Sequence, residues 1–321
     1  MMNAEGEIQL ELEHLRSIKG VDNSFLAQRD GYPITSAGLW LSPDEIFGIS
    51  AAASAIYAVA RRLHSTLNYV LVEGEQAKFI VVAFPENDDY FLSLTTRTQA
   101  NLGVILQSLH NCTQKIHPHL QRAGSLPPLR SYSNRQETSI MDRFRAQDKP
   151  MHSPSPSIRS LSLVLTESIV VKLRALLEDF TNLLDGAHPT FISLNGGYPI
   201  VPDKQLDPLT SGLSVFTFAL YDTCRKVAWI TKRTTINHVT IALTSQHHFI
   251  YNTGTGIFST TLQKGNYRLG YLRLLIPTFT TRIEETLQQA TQSIEKPKIQ
   301  QPMNRFLNGF VSSFQTQTLS G

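Results

Sequence analysis

Apolar positions along the chain change from helical to strand spacing in an order that occurs twice. In the first half, IQLELEHLRSI repeats apolar residues every three to four positions, which predicts a helix. NSFLAQRDGYPI then predicts two strands around Asp30-Gly31, a dipeptide typical of tight hairpins because glycine adopts positive φ without steric cost. The chain therefore opens with a helix and a β-hairpin.

A second helix, three strands and a third helix complete this half. Ser42, Pro43 and Glu45 indicate a helix start, with serine as cap, proline in the first turn and glutamate completing a capping box. The following IFGISAAASAIYAVARRLHS has apolar or small residues on several faces, which predicts a helix covered on more than one side. NYVLVEGEQAKFIVVAF and YFLSLTT predict three strands, and QANLGVILQSLHNCTQKI predicts the closing helix.

The same order of elements returns in the second half, from TESIVVKLRALLEDFTNLL to YRLGYLRLLI. Corresponding signals lie at nearly constant offsets: 165 for the helix starts (207 minus 42), 166 for the GYPI turns (197 minus 31) and 167 for the Leu-Gly pairs (269 minus 102). This regularity predicts a tandem repeat of one small domain. Hairpins separated by helices favour an α+β fold with antiparallel sheets.

The repeat divides the chain into four regions. Residues 8–116 and 161–295 are the two copies, and residues 117–160 are a linker rich in Pro, Ser and Arg. In the tail, 296–321, apolar residues recur at spacings of 3, 1, 3, 1 and 3 from Met303 to Phe314, which predicts an amphipathic helix. Its candidate docking residues are Phe306, Leu307, Phe310 and Phe314. The open alternatives for its target are a groove on its own domain, a partner's groove and, least favoured because the stretch has one basic residue, a membrane surface.

Two motifs of the first copy resemble the roadblock family, which includes the roadblock-type dynein light chains. RDGYPITSAG at 29–38 is similar to the family's Asp-Gly-x-Pro-apolar hairpin, and TQANLGVILQSL at 98–109 to the Asn/Asp-Leu-Gly start of its last helix. The second copy is diverged, with Gly196 at the hairpin Asp, Arg268 at the Asn and Pro277 inside the last helix; longin and profilin-like folds are alternatives for it. The resemblance implies two α-β-β-α-β-β-β-α domains, each with an antiparallel five-stranded sheet.

Roadblock domains pair, so the resemblance implies a pseudo-dimer of the two copies with a continuous sheet. We expect the second strand of each copy to be a sheet edge with unpaired backbone groups, and the Ala-rich helix to need cover. Pairing of these strands and of the long helices satisfies both needs. The residues predicted at the interface are Tyr32, Pro33, Ile34, Ala51, Ala55, Ala58, Tyr198, Pro199 and Ile200. Pairing with copies from another chain is the alternative.

Roadblock proteins commonly scaffold or regulate small Ras-like GTPases, so the resemblance implies a GTPase partner docked across the paired helices. The residues predicted on that face are Glu45, Ile49, Tyr57, Arg61, Tyr221 and Arg225. Filling the interface between the copies is the alternative role for them. The alternative function is a structural adaptor that pairs with other roadblock or longin proteins, or with itself, and leaves nucleotide turnover unchanged.

Composition limits the other classes of function. A hydrophobic fraction of 41% supports packed cores, while the net charge of +3 is small and not concentrated, so a nucleic-acid partner is not expected. Two cysteines cannot form a disulfide framework, and the acidic N-terminus lacks an apolar signal core, which favours a cytoplasmic protein. No stretch is expected to supply the roughly 20 apolar residues of a membrane span.

The motifs of catalysis and cofactor binding are missing from the sequence. It has no phosphate loop, no G-x-G-x-x-G before a helix, no nucleophile elbow and no zinc-binding H-E-x-x-H. His247 and His248 are consecutive strand residues whose rings point to opposite faces, and Cys112 lies two helical positions from His110, so neither pair converges. We therefore expect no enzyme activity, no cofactor and no metal site.

Overall fold

In the part of the first half that the structure describes, three helices and five strands follow one another in the predicted order. The computed structural model describes residues 4–38, 42–85, 87–123, 165–184, 189–201, 208–232 and 235–292. The elements of the first half are α1 (Ala4–Ser17), β1 (Val21–Gln28), β2 (Pro33–Gly38), α2 (Pro43–Leu63), β3 (Leu67–Gly74), β4 (Ala77–Phe84), β5 (Asn87–Arg97) and α3 (Leu102–Ala123).

The second half repeats this order. Its elements are α4 (Glu167–Leu183), β6 (Thr190–Leu194), β7 (Pro199–Val201), α5 (Pro208–Lys232), β8 (Ile236–Leu243), β9 (Gln246–Asn252), β10 (Gly256–Gln263) and α6 (Leu269–Gln292). The tandem α-β-β-α-β-β-β-α architecture inferred from the sequence is therefore confirmed.

The two halves join through β3 and β8, which pair antiparallel at the centre of a ten-stranded sheet. The strand order is β2-β1-β5-β4-β3-β8-β9-β10-β6-β7. Backbone bonds from Glu75 N to Thr235 O and from Thr244 N to Thr66 O extend this junction at both ends. The continuous sheet of a pseudo-dimer is confirmed, and it forms within one chain.

The strands predicted to join the copies lie instead at the two outer edges of the sheet. β2 is the first strand and β7 the last, so the predicted pairing of their residues across the copies is wrong. The residues concerned are Tyr32, Pro33, Ile34, Tyr198, Pro199 and Ile200. Each half has two edge strands, and both outer ones begin with proline, which cannot donate to a ladder. β3 and β8 are eight residues long and free of proline, so they can pair along their full length.

Helices cover both faces of the sheet. Alternate residues of β3 point to opposite faces: Val70 and Val72 lie in the apolar core shared with α2 and α5, and Leu71 in the core shared with α1 and α3. A third core joins α4 and α6 to the second half of the sheet through side chains such as Phe180 and Phe279. The predicted contact between the two long helices, α2 and α5, is confirmed.

Two predicted regions extend beyond the described part of the chain. Helix α3 continues through Pro118 to Ala123, so the start of the predicted linker is helical. The rest of the linker to residue 164 lies outside the described residues, as does the tail from 296. The tail docking residues, Phe306, Leu307, Phe310 and Phe314, therefore have no structural description.

Helix α2 corrects the expectation that no stretch of the chain is long and apolar enough to span a membrane. By length and composition alone its stretch Asp44–Leu63 could cross a membrane. In this fold 44% of the most apolar window is buried, and the helix packs on the sheet and on α5. A helix covered on two sides acquires the same composition as a membrane span, because both environments exclude water.

The turn before β7 gives a prediction about stability. Gly197 has φ of 80°, and a Cβ there would lie 2.6 Å from Cα of Val215 in α5. Gly197→Ala combines backbone strain with a clash, and we expect it to lower the free energy of unfolding by about 3 kcal/mol. Gly265 has φ of 93° with no atom near its Cβ position, so Gly265→Ala measures the strain alone, about 1 kcal/mol. Equal losses for the two variants in urea unfolding would contradict the close approach.

Candidate interaction surface

Helix α2 begins with the capping box that the sequence predicted. Ser42 Oγ accepts a hydrogen bond from Glu45 N at 3.3 Å, and Ser42 N donates to the Glu45 carboxylate at 2.8 Å. The box satisfies two backbone donors at the helix start. Glu45 is exposed, as a docking residue must be, but its carboxylate is already engaged in the cap.

Small residues of α2 bring it close to its neighbours, although not all the predicted ones do so. Ala52, Ala53 and Ala60 are buried in the core that α2 shares with α5. Ala55 is exposed, and Ala51 and Ala58 are half-buried. The predicted alanines thus lie on the sides of the helix, away from the face that packs in the core.

Ala51 has a different contact from the one predicted. A Cβ at Gly31 would lie 3.0 Å from Cα of Ala51, so the helix approaches the β1–β2 turn of its own half. Gly31 also has φ of 96°, and Asp30 Oδ1 accepts from Tyr32 N at 3.1 Å in the same turn. The repeated Gly-Tyr-Pro-Ile therefore fixes a hairpin against the long helix.

The six residues predicted to bind a GTPase do not form one surface. Ile49, Tyr57 and Tyr221 are buried in the core beneath the helices. Burial raises the pKa of Tyr57 to about 12, and its ring stacks on Phe91 with centroids 5.4 Å apart. The apolar members of the prediction therefore stabilise the fold and cannot contact a partner.

The three polar members remain accessible to different degrees. Arg225 is exposed and forms an ion pair with Asp222 at 2.6 Å within α5. Arg61 is half-buried and pairs with Asp88 at the start of β5. Together with Glu45 they mark separate points around the helix layer.

An apolar surface that the sequence reasoning missed lies on the outer side of α5. Val215 and Phe216 are 50% and 51% exposed, and Tyr198 in the adjacent β6–β7 turn is 72% exposed. Gly197 brings this turn against Val215. We call these three side chains, Tyr198, Val215 and Phe216, the α5 patch. The run Val215–Leu220, VFTFAL, has more apolar residues than one buried face of a helix can hold, and this pattern in the sequence indicates an exposed apolar surface.

A buried ionic cluster crosses the junction of the halves on the opposite face. The Glu73 carboxylate of β3 accepts from His238 Nε2 of β8 at 2.8 Å and from the Arg273 guanidinium of α6, and Lys78 Nζ lies 3.5 Å away. His238 also stacks on Tyr251, with ring centroids 4.6 Å apart. Burial alone would raise the pKa of Glu73, but the His238 hydrogen bond and the electrostatic attraction of His238, Arg273 and Lys78 outweigh it and lower the pKa to about 2.

Two histidines form a second polar link, on the α2–α5 face. His64, which follows α2, shares a hydrogen bond of 2.8 Å between its Nε2 and Nδ1 of His248 in β9. His248 is fully buried, and its Nε2 bonds Ser259 Oγ at 2.7 Å. Burial lowers the pKa of His64 to about 4 and that of His248 to about 3, so both rings are neutral near pH 7. The prediction that His247 and His248 point to opposite faces agrees with their separate contacts, since His247 approaches the Phe249 ring.

An open groove of about 880 Å³ lies beside α3. It lies at the end of the sheet where β3 begins and β8 ends, with Thr66 and Thr244 among its lining residues. Its lining mixes apolar and polar side chains. Across the described ranges, no three His, Cys, Asp or Glu side chains converge as metal ligands.

Both cysteines are buried and unpaired. Burial raises the pKa of the Cys112 thiol to about 12 and that of the Cys224 thiol above its ordinary range. A thiol that is neutral and shielded is a poor nucleophile. These side chains pack as small apolar residues.

Comparison with known proteins finds likeness in fold. No protein-family model and no curated protein matches the chain. The Roadblock/LC7 domain from Streptomyces avermitilis is 18% identical with a TM-score of 0.33, over 35% of this chain and 97% of that one. Gliding protein MglB from Thermus thermophilus is 14% identical with a TM-score of 0.35, over 38% and 94%. Myxococcus xanthus MglB is 14% identical with a TM-score of 0.33, over 36% and 95%.

Each of these structures covers 35% to 38% of this chain and at least 94% of its own length. The helix and strand order of each half is the α-β-β-α-β-β-β-α order that the roadblock resemblance implied. This order of elements is present twice in the chain, and the two copies are joined in one sheet.

Proposed function

We propose that this protein is a non-enzymatic scaffold that binds a small Ras-like GTPase across the layer formed by α2 and α5. The observation that carries the proposal is the α5 patch, in which two aromatic rings and a valine are exposed on a rigid helix layer. Exposed aromatic side chains at one point of a surface are typical centres of protein interfaces. The buried, protonated thiols support a binding role over nucleophilic catalysis.

The surroundings of the patch suit a folded partner. Ala55 of α2 and Ala219 of α5 are exposed small residues that let a partner's backbone approach closely. Arg225 and Lys226 lie further along α5 and pair with Asp222 at 2.6 and 3.0 Å, forming a polar rim. An apolar centre with a polar rim is the usual arrangement of a protein–protein interface.

A matched pair of substitutions tests this surface. Phe216→Glu places a charge in the α5 patch, and we expect it to weaken binding of the host's small GTPases at least about tenfold. Leu274→Glu makes the same change at a side chain 76% exposed on α6, on the opposite face of the sheet, and should leave binding unchanged. The measurement is a titration of each GTPase in both nucleotide states, with unfolding curves as the folding check. Absence of binding by the unmodified protein to every host GTPase would refute the proposal.

Nucleotide turnover separates the scaffold from the adaptor function. A GTPase regulator changes the hydrolysis or exchange rate of the bound partner, whereas an adaptor binds with no change in either rate. Binding that is lost in Phe216→Glu with turnover unaffected would identify the adaptor.

A further inference from the structure

The register of the central strands defines which positions of the two halves correspond. Val70 lies opposite Ile241 and Val72 opposite Val239, so the centre of the junction is the pair Leu71–Thr240. A two-fold rotation about this centre exchanges the halves. It relates residues at equal distances from the centre along each strand.

The correspondence shows that the two ends of the junction differ chemically. At one end lie Glu73, His238 and Arg273 of the ionic cluster. By strand register, the counterpart of Glu73 is Ala242 and that of His238 is Tyr69. The Leu-Gly pairs that start α3 and α6 lie 167 residues apart, so the counterpart of Arg273 is Leu106. Ions fill one end, and apolar side chains stand at the equivalent sites of the other.

The end without ions is the open groove beside α3. Its floor is apolar and includes Tyr69, Val82, Phe84, Leu106 and Leu109. Val82 corresponds to the larger Tyr251, because Val82 pairs with Tyr69 as Tyr251 pairs with His238. Ala242 is likewise smaller than its counterpart Glu73, whereas Tyr69 is larger than its counterpart His238.

The rim of the groove is acidic. Asp88 and Asp89 are exposed at the start of β5, at the edge of the groove, and Asp88 pairs there with Arg61. Two carboxylates facing one guanidinium leave the rim with a negative charge. The groove therefore favours an occupant with an apolar face and positive charge.

The tail of the chain has both properties. Its apolar stripe from Met303 to Phe314 has helical spacing, and from Lys296 to Gly321 it carries three cations, Lys296, Lys298 and Arg305, and no acidic residue. We propose that residues 303–314 bind as a helix in this groove, with the apolar stripe on its floor and Arg305 facing Asp88 and Asp89. The tail, which follows the second half, thereby covers apolar side chains of the first half that line the groove.

Ten residues separate the stripe from the last described helix. Helix α6 ends at Gln292, which leaves the ten residues 293–302 before the stripe. Ten residues extend up to about 33 Å. This reach exceeds the length of the central strands β3 and β8, which are eight residues long, about 26 Å.

Charge also distinguishes the groove from the other exposed apolar site. The α5 patch is followed along its helix by Arg225 and Lys226, two cations against the single acid Asp222. A basic tail is not attracted there. The acidic rim of the groove is the complementary surface.

Hydrogen exchange of the full chain tests the proposal. We expect amides of 303–314 to exchange at least about tenfold more slowly than in an unstructured peptide, with protection unchanged on dilution. Leu106→Asp should remove the protection by charging the floor, and Asp89→Lys should reduce it by reversing the rim. Glu75→Lys makes the same charge change at the opposite end of the junction, where Glu75 is exposed, and should leave it intact.

Three results would overturn the inference. The first is an unprotected tail in the unmodified protein. The second is protection that survives both Leu106→Asp and Asp89→Lys, or is lost in Phe216→Glu, which would place the tail elsewhere. The third is protection that falls on dilution, which would make the occupant the tail of a second copy. None of these outcomes depends on whether a GTPase binds.

Discussion

Replacing Glu73 by alanine is expected to lower the free energy of unfolding by about 3 kcal/mol. Glu73 is 6% exposed and is the common partner of His238, Arg273 and Lys78, which come from three different elements. Without the carboxylate, partly buried cations lose their counter-charge at the junction of the halves. Breaking a buried ion pair by removing one partner is costly for this reason. Urea unfolding at pH 7 measures the loss.

The neighbouring Glu75 supplies the control. It is exposed two residues away on the same segment, so Glu75→Ala should change stability by less than about 0.5 kcal/mol. Glu73→Gln keeps the shape and removes the charge, and should fall between the two. Similar stabilities for Glu73→Ala and Glu75→Ala would show that the ionic cluster does not hold the junction together.

Lowering the pH from 7 to 4 is expected to cost on the order of 5 kcal/mol through the His64–His248 pair, with the contribution of the partly exposed His64 discounted for solvent screening. Both pKa values are lowered by burial, to about 4 and about 3, so the unfolded chain binds these protons first as pH falls below about 6.5. The contribution of this pair is therefore full above about pH 6.5, falls between 6.5 and 4, and continues to fall until about pH 3, where His248 is protonated in the folded protein. Unfolding free energies measured across this range give the slope.

The variant His248→Phe isolates this effect. Phe79 occupies the equivalent position in the first half. Ile80 pairs with Leu71 in β3, and Phe249 pairs with Thr240 in β8, so Ile80 and Phe249 correspond. Phe79 and His248 are the residues that precede them. Phenylalanine has no titratable ring, so we expect a flatter slope between pH 6.5 and 4. Below pH 4.5, protonation of Glu73 lowers the stability separately. The pKa of Glu73 is lowered to about 2 in the folded protein, so its contribution to the free energy of unfolding is lost as the pH falls from 4.5 to about 2. An unchanged slope above pH 4.5 in His248→Phe would contradict the assignment to this pair.

These two predictions concern opposite faces of the same junction. The ionic cluster lies on the face of α6, and the histidine pair lies under α2 and α5. In each case residues from both halves supply the partners, so each link responds to separation of the halves and not only to unfolding of one. Loss of either link is therefore expected to weaken the platform that carries the α5 patch.

Most elements could be predicted because their signals are local. The capping box at Ser42, the turn at Asp30-Gly31 and the matched offsets depend on residues within a few positions, and the structure confirms them. The edge pairing was predicted wrongly although a signal existed. β3 and β8 bury consecutive residues on both faces, as central strands do, whereas Pro33 and Pro199 indicate outer edges.

The candidate site was harder to predict than the fold. Ile49 and Tyr57 were placed on a docking face because analogy located the helix but not the orientation of its side chains, and both are buried. Phe216 and Val215 were missed because apolar residues on a helix do not reveal by themselves which face has cover. The cover depends on where the sheet and α2 lie.

By itself the sequence determined the helices, the hairpins, their duplication and the fold class, since periodicity and turn chemistry are properties of neighbouring residues. Only the tertiary structure decided which edges join, which end of the junction ions fill and which apolar residues stay exposed. Glu73 meets His238 and Arg273 across 165 and 200 positions, and no local pattern links such distant residues. Their contact follows from the register of β3 on β8, which depends on the packing of the whole sheet.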